Sequence, residues 1–341
     1  MSHIDFQDFI QEQKPKKCIL LYHWDCDGIA SAAQFLNFIE EVSPETEVVL
    51  MTPTLNRYFL DEEEFQGIAA LGADGLLTTD INFPPEVIDR LEKDVPQIFV
   101  FDHHTQTANI HKPGVQDVNY PGCSMLVNDY LMKPLSLVGI LGMVGDQEDK
   151  IKERADFFPQ IQEMMKEHSL EFDDVQRITK LVDTMYMVGD VKGIEYAVQL
   201  LREDPKDALT DQRFADAEKK LKTDMKNELD AHMDEMTSTT GTKLCIQYIT
   251  ATSNIISEVT RARAKQFPDA FIISSQTVGK EAIAYVRTRV EGTDLSSIVE
   301  SARAKGYNAG GKPEVAGVVL PAEELKEYMD GLISDVIALM P

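Results

Sequence analysis

The sequence lacks the features of a membrane or secreted protein. No apolar run approaches the roughly 20 residues needed to cross a bilayer as a helix. The opening stretch MSHIDFQDFIQEQKPKK has no apolar core of the kind found in a signal peptide. The four cysteines are scattered and form no CxxC pair, so they indicate a reducing compartment without a disulfide framework. These absences predict a cytoplasmic protein that does not contact a membrane.

Basic and aromatic residues are also scarce. The chain has 33 Lys and Arg against 58 Asp and Glu, for a net charge of −25. That charge argues against nucleic acid covering the whole surface, although a local basic cleft is compatible with it. Aromatic residues make up only 8% of the chain, which gives few stacking surfaces for a long polymer. The acidic excess is explained by solubility, by adaptation to a salty cytoplasm, or by acidic residues that surround bound cations.

The first part of the chain alternates strand and helix patterns. The apolar runs KCILLYH, TEVVLMTP, DGLLTTD, PQIFVFD and GVQDVNY are typical of buried strands. Helical patterns such as GIASAAQFLNFIEEV and PPEVIDRLEKD lie between them. This alternation predicts an α/β fold with a parallel sheet covered on both faces, over residues 1–150.

The remainder of the chain divides into two further parts. From SMLVNDYL to ELDAHMDEM the pattern is helical, which predicts either a helical bundle that completes the first domain or a connector between domains. Residues 151–240 are assigned to this helical segment or connector. Strand patterns return at TKLCIQYIT, and AFIISSQTVGKEAIAYVRTRV predicts two strands joined by a short turn. The segment YNAGGKPEVAGVVLP predicts a glycine loop leading into a strand. Residues 241–341 are therefore predicted to form a smaller α/β domain.

Metal-ligand residue types recur at the predicted strand ends. They are His23, Asp25 and Asp27 after the first strand, Asp80 after the third, Asp102, His103 and His104 after the fourth, and Asp146 after an apolar helical run. A single aspartate at a strand end is an ordinary turn residue. Parallel strands, however, bring their carboxyl ends to one edge of a sheet, where ligands bind. The set therefore predicts a shared site.

The chemistry of these ligands favours particular cations. Carboxylate oxygens combined with imidazole nitrogens suit Mn²⁺ or Mg²⁺ better than Zn²⁺, because no thiolate pattern accompanies them. The number of ligands suits two ions, held by an aspartate that contacts both.

Four motifs carry a resemblance to a known family. HWDCDG, LLTTD, FDHH and GMVGD, in this order, resemble the motifs of the DHH phosphoesterase superfamily, and the HxDxDG spelling is closest to the RecJ-like, archaeal-type exonuclease branch. NAGGKPEVAG resembles the GGHxxAAG loop of the DHH-associated C-terminal domain. The resemblance implies a DHH catalytic domain over 1–150 and a DHH-associated substrate-binding domain over 241–341.

The resemblance also implies roles for individual residues. Six side chains would hold two Mn²⁺ ions, with Mg²⁺ as a substitute: His23, Asp25 and Asp146 the first, Asp27 and His103 the second, and Asp80 both. His104 would face the substrate and polarise the phosphate or the leaving group. Asp102 would orient His103 from behind, as carboxylates commonly do for metal-bound imidazoles.

Four residues of the C-terminal domain would bind substrate. Arg287 would contact a phosphate with its planar fork. Gly310 and Gly311 would let backbone N–H groups approach a phosphate closely. Lys312 departs from the family, whose members usually have histidine there, and it offers a point charge without acid–base chemistry near pH 7.

Three functions are compatible with these observations. The first is a single-strand-specific DNA or RNA exonuclease that releases mononucleotides by two-metal hydrolysis. The second is a small-substrate enzyme: a nanoRNase, a phosphoadenosine-phosphate phosphatase or a cyclic-dinucleotide phosphodiesterase, which the modest length and acidic charge favour. The third is a non-catalytic replication or repair scaffold. The implied partners are single-stranded nucleic acid or short oligonucleotides, a helicase or another repair or replication protein, and a second copy of the chain.

Overall fold

The structure is a computed structural model that describes residues 4–57, 59–81, 83–104, 112–237 and 241–340. The chain divides into two compact units. The first unit comprises Met1–Leu55, Phe59–Tyr186 and Asp190–Glu218, and the second comprises Asn56–Tyr58, Met187–Gly189 and Lys219–Pro341. The segment predicted as a connector over 151–240 is thus shared between the units. Among the described residues, no helix has the length and apolar character needed to cross a membrane.

The first unit is built on a five-stranded parallel sheet, as predicted. Its strands are β1 (Lys17–Tyr22), β2 (Glu47–Met51), β3 (Gly75–Thr79), β4 (Gln97–Asp102) and β5 (Gly114–Gln116). They lie in the order β2-β1-β3-β4-β5. Because the chain passes from β1 to β2 on one side and continues from β3 on the other, the order reverses between β1 and β3. A crevice for ligands forms at the carboxyl ends of strands at such a point.

Helices cover both faces of this sheet. The helices of this unit are α1 (Phe6–Asp8), α2 (Cys26–Val42), α3 (Glu62–Leu71), α4 (Pro85–Leu91), α5 (Cys123–Tyr130), α6 (Leu137–Gln147), α7 (Phe158–His168), α8 (Phe172–Met187), α9 (Val191–Glu203) and α10 (Gln212–Asp230), whose later part belongs to the second unit. Ile19 and Leu21 of β1 pack into a buried cluster with Ile88 of α4. On the opposite face, the ring of Phe101 lies 4.8 Å from that of Phe35 in α2.

The helix α3 was not predicted, although its start carries a recognisable signal. The Asp61 side chain accepts a hydrogen bond from the Glu64 backbone, and the Glu64 side chain accepts one from the Asp61 backbone. This capping box satisfies two N–H groups at a helix start and is readable as D-x-x-E.

The second unit is a six-stranded sheet with helices. Its elements are β6 (Asp234–Thr237), β7 (Lys243–Ile249), α11 (Ile256–Gln266), β8 (Ala270–Val278), β9 (Glu281–Thr288), α12 (Ser296–Ala304), β10 (Asn308–Lys312), β11 (Val315–Pro321) and α13 (Leu325–Leu339). The strand order is β10-β11-β9-β8-β7-β6. Only β7 and β8, which α11 connects, run parallel among these described pairs. The predicted α/β character of this part is confirmed.

Two local predictions in this unit were wrong. The helical pattern was extended through Met236, but the helix ends at Asp230 and β6 follows. The glycine segment is not a loop: Gly310 and Gly311 lie in β10, paired with Gly317 and Ala316 of β11. A Cβ on Gly311 would overlap the carbonyl oxygen of Val315. Glycine is needed there for close approach between two strands, which a sequence pattern does not distinguish from a turn.

Candidate metal centre

The HWDCDG motif joins the end of β1 to the start of α2. His23 donates its backbone N–H to the Thr79 carbonyl oxygen at 3.2 Å, which fixes it beside the end of β3. Asp25 is the N-cap of α2, and its Oδ1 accepts a hydrogen bond from the Gly28 backbone at 3.1 Å. Its Oδ2 lies 2.7 Å from His23 Nδ1. The helix begins at Cys26, earlier than the predicted start at Gly28.

Asp27 reaches the site from the first turn of α2 and is fully buried. Its carboxylate accepts hydrogen bonds from the backbone N–H groups of Cys123, at 2.5 Å, and Ser124, at 2.8 Å. Both groups lie at the start of α5, where a negative charge is stabilised. Gly142 of α6 passes so close that a Cβ on it would overlap Asp27 Oδ1. Two helices therefore hold this carboxylate in place.

Asp80 lies at the centre of the site, directly after β3. Its backbone φ of +60° is unusual for a residue other than glycine, and its N–H donates to the Phe101 carbonyl at 2.9 Å. The side chain is buried, and Oδ1 has no hydrogen-bond partner among the described residues. Oδ1 lies 3.4 Å from His103 Nε2, and Oδ2 lies 3.9 Å from His23 Nδ1. One carboxylate thus faces two histidines from different strands.

His103 presents one nitrogen to three carboxylates. Its Nδ1 lies 3.2 Å from the Tyr120 carbonyl oxygen, which only accepts, so Nδ1 carries a proton. Its Nε2 lies 3.2 Å from Asp146 Oδ2, 3.4 Å from Asp80 Oδ1 and 3.6 Å from Asp27 Oδ2. In the neutral ring, the Nε2 lone pair would face only other lone pairs. That arrangement is stable only around a proton or a cation.

Asp102 and His104 form a second pair at the end of β4. Asp102 is fully buried, and its Oδ1 accepts a hydrogen bond from the His103 backbone N–H at 2.9 Å. The same oxygen lies 2.7 Å from His104 Nδ1. Asp102 was predicted to orient the His103 ring. In the structure, the Tyr120 carbonyl contacts that ring, and Asp102 orients the ring of His104.

The pKa shifts follow from crowding these charges. Burial, together with Asp146, raises the pKa of Asp27 to about 6. Burial followed by Asp27 and Asp25 raises the pKa of Asp80 well above its usual value. Burial alone would lower the pKa of His103, but Asp146 and Asp27 outweigh it and raise that pKa to about 10. The raised pKa values favour the protonated forms of these groups, and a bound cation would displace those protons.

Three overlapping groups have the chemistry of a divalent-metal site. Each brings one ligand atom from each of three residues within 4.8 Å of one another: His23, Asp25 and Asp80; Asp80, His103 and His104; and Asp27, His103 and Asp146. Asp80 belongs to two groups, as expected of a shared ligand. Asp146 lies with Asp27 and His103, whereas the resemblance assigned it to the ion of His23 and Asp25. The buried Asp80 Oδ1 without a hydrogen-bond partner fits a cation between these groups.

The predicted substrate residues lie in the second unit, on β9 and β10. Arg287 and Lys312 both align with Val315 of β11, which places the three in one row across the sheet. Arg287 Nε is buried without a hydrogen-bond partner among the described residues. Gly310 is buried, whereas Gly311 and Lys312 are exposed. The row therefore combines two cationic side chains with adjacent glycines.

Comparison with known proteins gives structural matches only. No family model and no curated protein matches the sequence. A DHH domain described as a member of a family of ribosomal proteins is 17% identical, with a TM-score of 0.67, over 98% of this chain and 89% of that one. An exonuclease RecJ bound to manganese is 15% identical, with a TM-score of 0.66, over 100% and 96%. The chain has the fold of the DHH and RecJ proteins.

A third structure with this DHH fold is a pGpG-specific phosphodiesterase from Vibrio cholerae. It is 13% identical, with a TM-score of 0.52, and the match covers 95% of this chain and 100% of that one. The motifs HWDCDG, LLTTD, FDHH and GMVGD therefore belong to a chain with this fold, and their acidic and histidine side chains lie close together.

Some residues of the DHH-fold centre were not predicted. Asp183 of α8 accepts a hydrogen bond from the Cys26 backbone N–H at 2.8 Å, and burial and Asp25 raise its pKa well above the usual value. The residues three and four positions before it are Lys180 and Thr179, both polar, so the sequence pattern of α8 carries no signal that marks Asp183. The contact between Tyr120 and His103 uses the backbone carbonyl of Tyr120. Because every residue has such a carbonyl, the residue type does not predict this contact.

Proposed function

We propose that the protein is a divalent-metal-dependent phosphodiesterase that hydrolyses single-stranded DNA or RNA from an end and releases mononucleotides. The observation that carries the proposal is His103 Nε2, which lies within 3.6 Å of carboxylate oxygens of Asp27, Asp80 and Asp146. A cation bound between them would stabilise this arrangement of three carboxylates and one imidazole nitrogen. The mixture of oxygen and nitrogen ligands favours Mn²⁺, with Mg²⁺ as a substitute.

The side chains divide into two ligand sets in this proposal. His23 and Asp25 hold one cation, His103, Asp27 and Asp146 hold the other, and Asp80 contacts both. When bound, two such cations supply an acidified water as the nucleophile and neutralise charge on the phosphate oxygens. Tyr120 keeps the His103 proton on Nδ1, so Nε2 remains the ligand atom.

His104 is assigned to the substrate. Its side chain is 40% exposed, and Asp102 contacts Nδ1 from the buried side. His104 can therefore donate a proton from Nε2 to a phosphate or leaving-group oxygen, which makes it the candidate acid of the reaction.

The second unit is assigned to substrate binding. Arg287 and Lys312 would contact phosphates, and the strand glycines Gly310 and Gly311 would admit the substrate backbone. The similarity to exonuclease RecJ over nearly the whole of both chains supports a polymer substrate. A cytoplasmic location, a helicase or other repair or replication partner, and self-association belong to the same proposal.

A specific observation favours a second candidate, a phosphodiesterase for short substrates. The match to the pGpG-specific enzyme covers that chain completely, and the net charge of −25 disfavours long contact with a polyanion. The same centre would perform the hydrolysis, and only the substrate would differ.

An oligonucleotide ladder separates these candidates. Single strands of two to thirty nucleotides, labelled at either end, are incubated with the protein and Mn²⁺, and with the Asp80→Asn variant as the control. Progressive shortening of long strands supports the exonuclease, and the label lost first gives the direction. Cleavage confined to the shortest strands supports the second candidate. If the wild-type protein cleaves nothing, or if the variant cleaves equally well, the proposed hydrolysis is wrong, and a scaffold role is left.

A further inference from the structure

The helix α8 contributes one acidic side chain to the start of α2. Asp183 Oδ1 accepts a hydrogen bond from the Cys26 backbone N–H at 2.8 Å, across 157 residues of sequence. Cys26 is the first residue of α2 and stands between Asp25 and Asp27 in the sequence, and these two aspartates belong to different ligand groups of the centre. The position of this one peptide group therefore sets the spacing of two candidate ligands.

The hydrogen bond also determines what Asp25 does. The first N–H groups of a helix have no partner within the helix and attract nearby carboxylates. Asp25 binds Gly28 through Oδ1 and keeps Oδ2 at 2.7 Å from His23 Nδ1. Because Asp183 occupies the Cys26 N–H, Asp25 Oδ2 is not drawn back to the helix and stays directed into the centre.

We propose that Asp183 is a positioning residue. It holds the first turn of α2 so that Asp25 and Asp27 can bind the divalent cations at the same time. This inference rests on the proposed function, since it requires the centre to bind cations. Asp183 belongs to none of the ligand groups among the described residues, so it acts through the Cys26 peptide group. Residues that orient ligands in this way typically change metal affinity by about 10–100-fold when they are removed.

The chain supplies its own reporter for this test. Trp24 is the only tryptophan, and the centre of its ring lies 4.3 Å from that of His23. Paramagnetic Mn²⁺ bound at the centre should quench its fluorescence, so a titration measures affinity without measuring catalysis. The full-length protein is titrated as wild type, Asp183→Ala and Asp183→Asn. The control is Asp173→Ala, which alters an exposed residue of the same helix.

The variants separate the hydrogen bond from the charge. Asp183→Ala removes both, and we expect its Kd for Mn²⁺ to rise about tenfold or more. Asp183→Asn keeps an oxygen acceptor for Cys26, and we expect it to bind Mn²⁺ within about threefold of the wild type, like Asp173→Ala. Thermal unfolding without metal identifies a variant that fails to fold, in which case the comparison of Asp183→Asn with the wild type still decides.

Each other outcome has a distinct meaning. If the wild type binds Mn²⁺ and Asp183→Ala binds it equally well, the positioning role is wrong. If Asp183→Asn binds as weakly as Asp183→Ala, the charge and not the hydrogen bond is responsible, and the positioning role is again wrong. If the wild type shows no quenching and no binding of Mn²⁺ by calorimetry, the proposed function itself fails.

Discussion

The two units gather their candidate functional residues in different ways. In the first, acidic and imidazole groups from β1, β3, β4 and α6 converge at one edge of a parallel sheet, and several are buried. In the second, Arg287 and Lys312 meet through strand register within a largely antiparallel sheet, and Lys312 is exposed. The first arrangement concentrates negative charge away from water, whereas the second presents positive charge to it.

The difference follows from strand direction. Parallel strands all end at the same edge, so residues far apart in the sequence are brought together there. Antiparallel neighbours end at opposite edges, so their side chains meet only along a row of paired residues. We therefore expect substitutions in the first unit to affect metal binding, stability and turnover together, and substitutions in the second to affect substrate binding alone.

Asp80→Asn should have the largest effect. The variant keeps the shape of the side chain but removes the charge that both ligand groups share. We expect Mn²⁺-dependent hydrolysis to fall by more than about 100-fold, beyond the range typical of residues behind a metal ligand. The metal-free variant should also unfold at a higher temperature, because the burial and the repulsion from Asp27 and Asp25 that raise the pKa of Asp80 no longer act on an ionisable group. Hydrolysis rates and thermal melts without metal measure the two effects.

The exposed Asp94 provides the matched control for this prediction. Asp94→Asn should leave both the hydrolysis rate and the melting temperature unchanged. If Asp80→Asn has normal activity, or if its melting temperature is lower than that of the wild type, the first unit does not concentrate charge around a cation.

Gly142→Ala should have the second-largest effect. Its new Cβ would overlap Asp27 Oδ1 and Ser124 Oγ, so we expect a loss of about 1–3 kcal/mol of stability and weaker Mn²⁺ binding. Gly145→Ala, one turn away on the same helix, would place its Cβ 3.6 Å from the nearest heavy atom, Cys26 Cβ. It should be neutral or stabilise by up to about 1 kcal/mol. Chemical denaturation of both variants checks this, and equal behaviour would contradict the tight contact.

Mn²⁺ affinity should rise with pH. The pKa values of Asp27, about 6, and His103, about 10, both exceed their usual values in the metal-free protein. At neutral pH His103 therefore still carries a proton that must leave when a cation binds, whereas Asp27 is largely ionised above about pH 6. Affinity for Mn²⁺ should rise by up to about tenfold per pH unit for each proton released. Raised pKa values also stabilise the metal-free fold at low pH. The Asp27 contribution is lost as the pH rises from 3.8 to about 6, and the His103 contribution as it rises from 6.5 to about 10. Calorimetry in buffers of different ionisation enthalpy detects the released proton, and a pH-independent Kd would contradict the buried cluster.

Arg287→Ala should give the smallest and most selective effect. Loss of a charge-assisted contact to phosphate should raise KM about tenfold and leave kcat and the Kd for Mn²⁺ unchanged. Arg289, two residues on and exposed beyond the end of β9, supplies the control, and Arg289→Ala should leave KM within about twofold. If Arg287→Ala changes the affinity for Mn²⁺, the expectation that the second unit affects substrate binding alone is wrong.

The sequence by itself determined the parallel sheet and the ligand residues at its edge. Continuous apolar runs specify buried strands, and His23, Asp80 and His103 follow those runs directly, so residue type and position carry the information locally. The tertiary structure alone decided that Asp146 joins Asp27 and His103, that the Tyr120 carbonyl contacts His103, and that Asp183 holds Cys26. Those contacts depend on how helices pack against the sheet and on backbone groups that every residue shares. The local periodicity of the sequence predicts neither the packing of helices nor the contacts of backbone groups. The glycine segment that folds as β10 is a further example, because its pattern does not distinguish a strand from a loop.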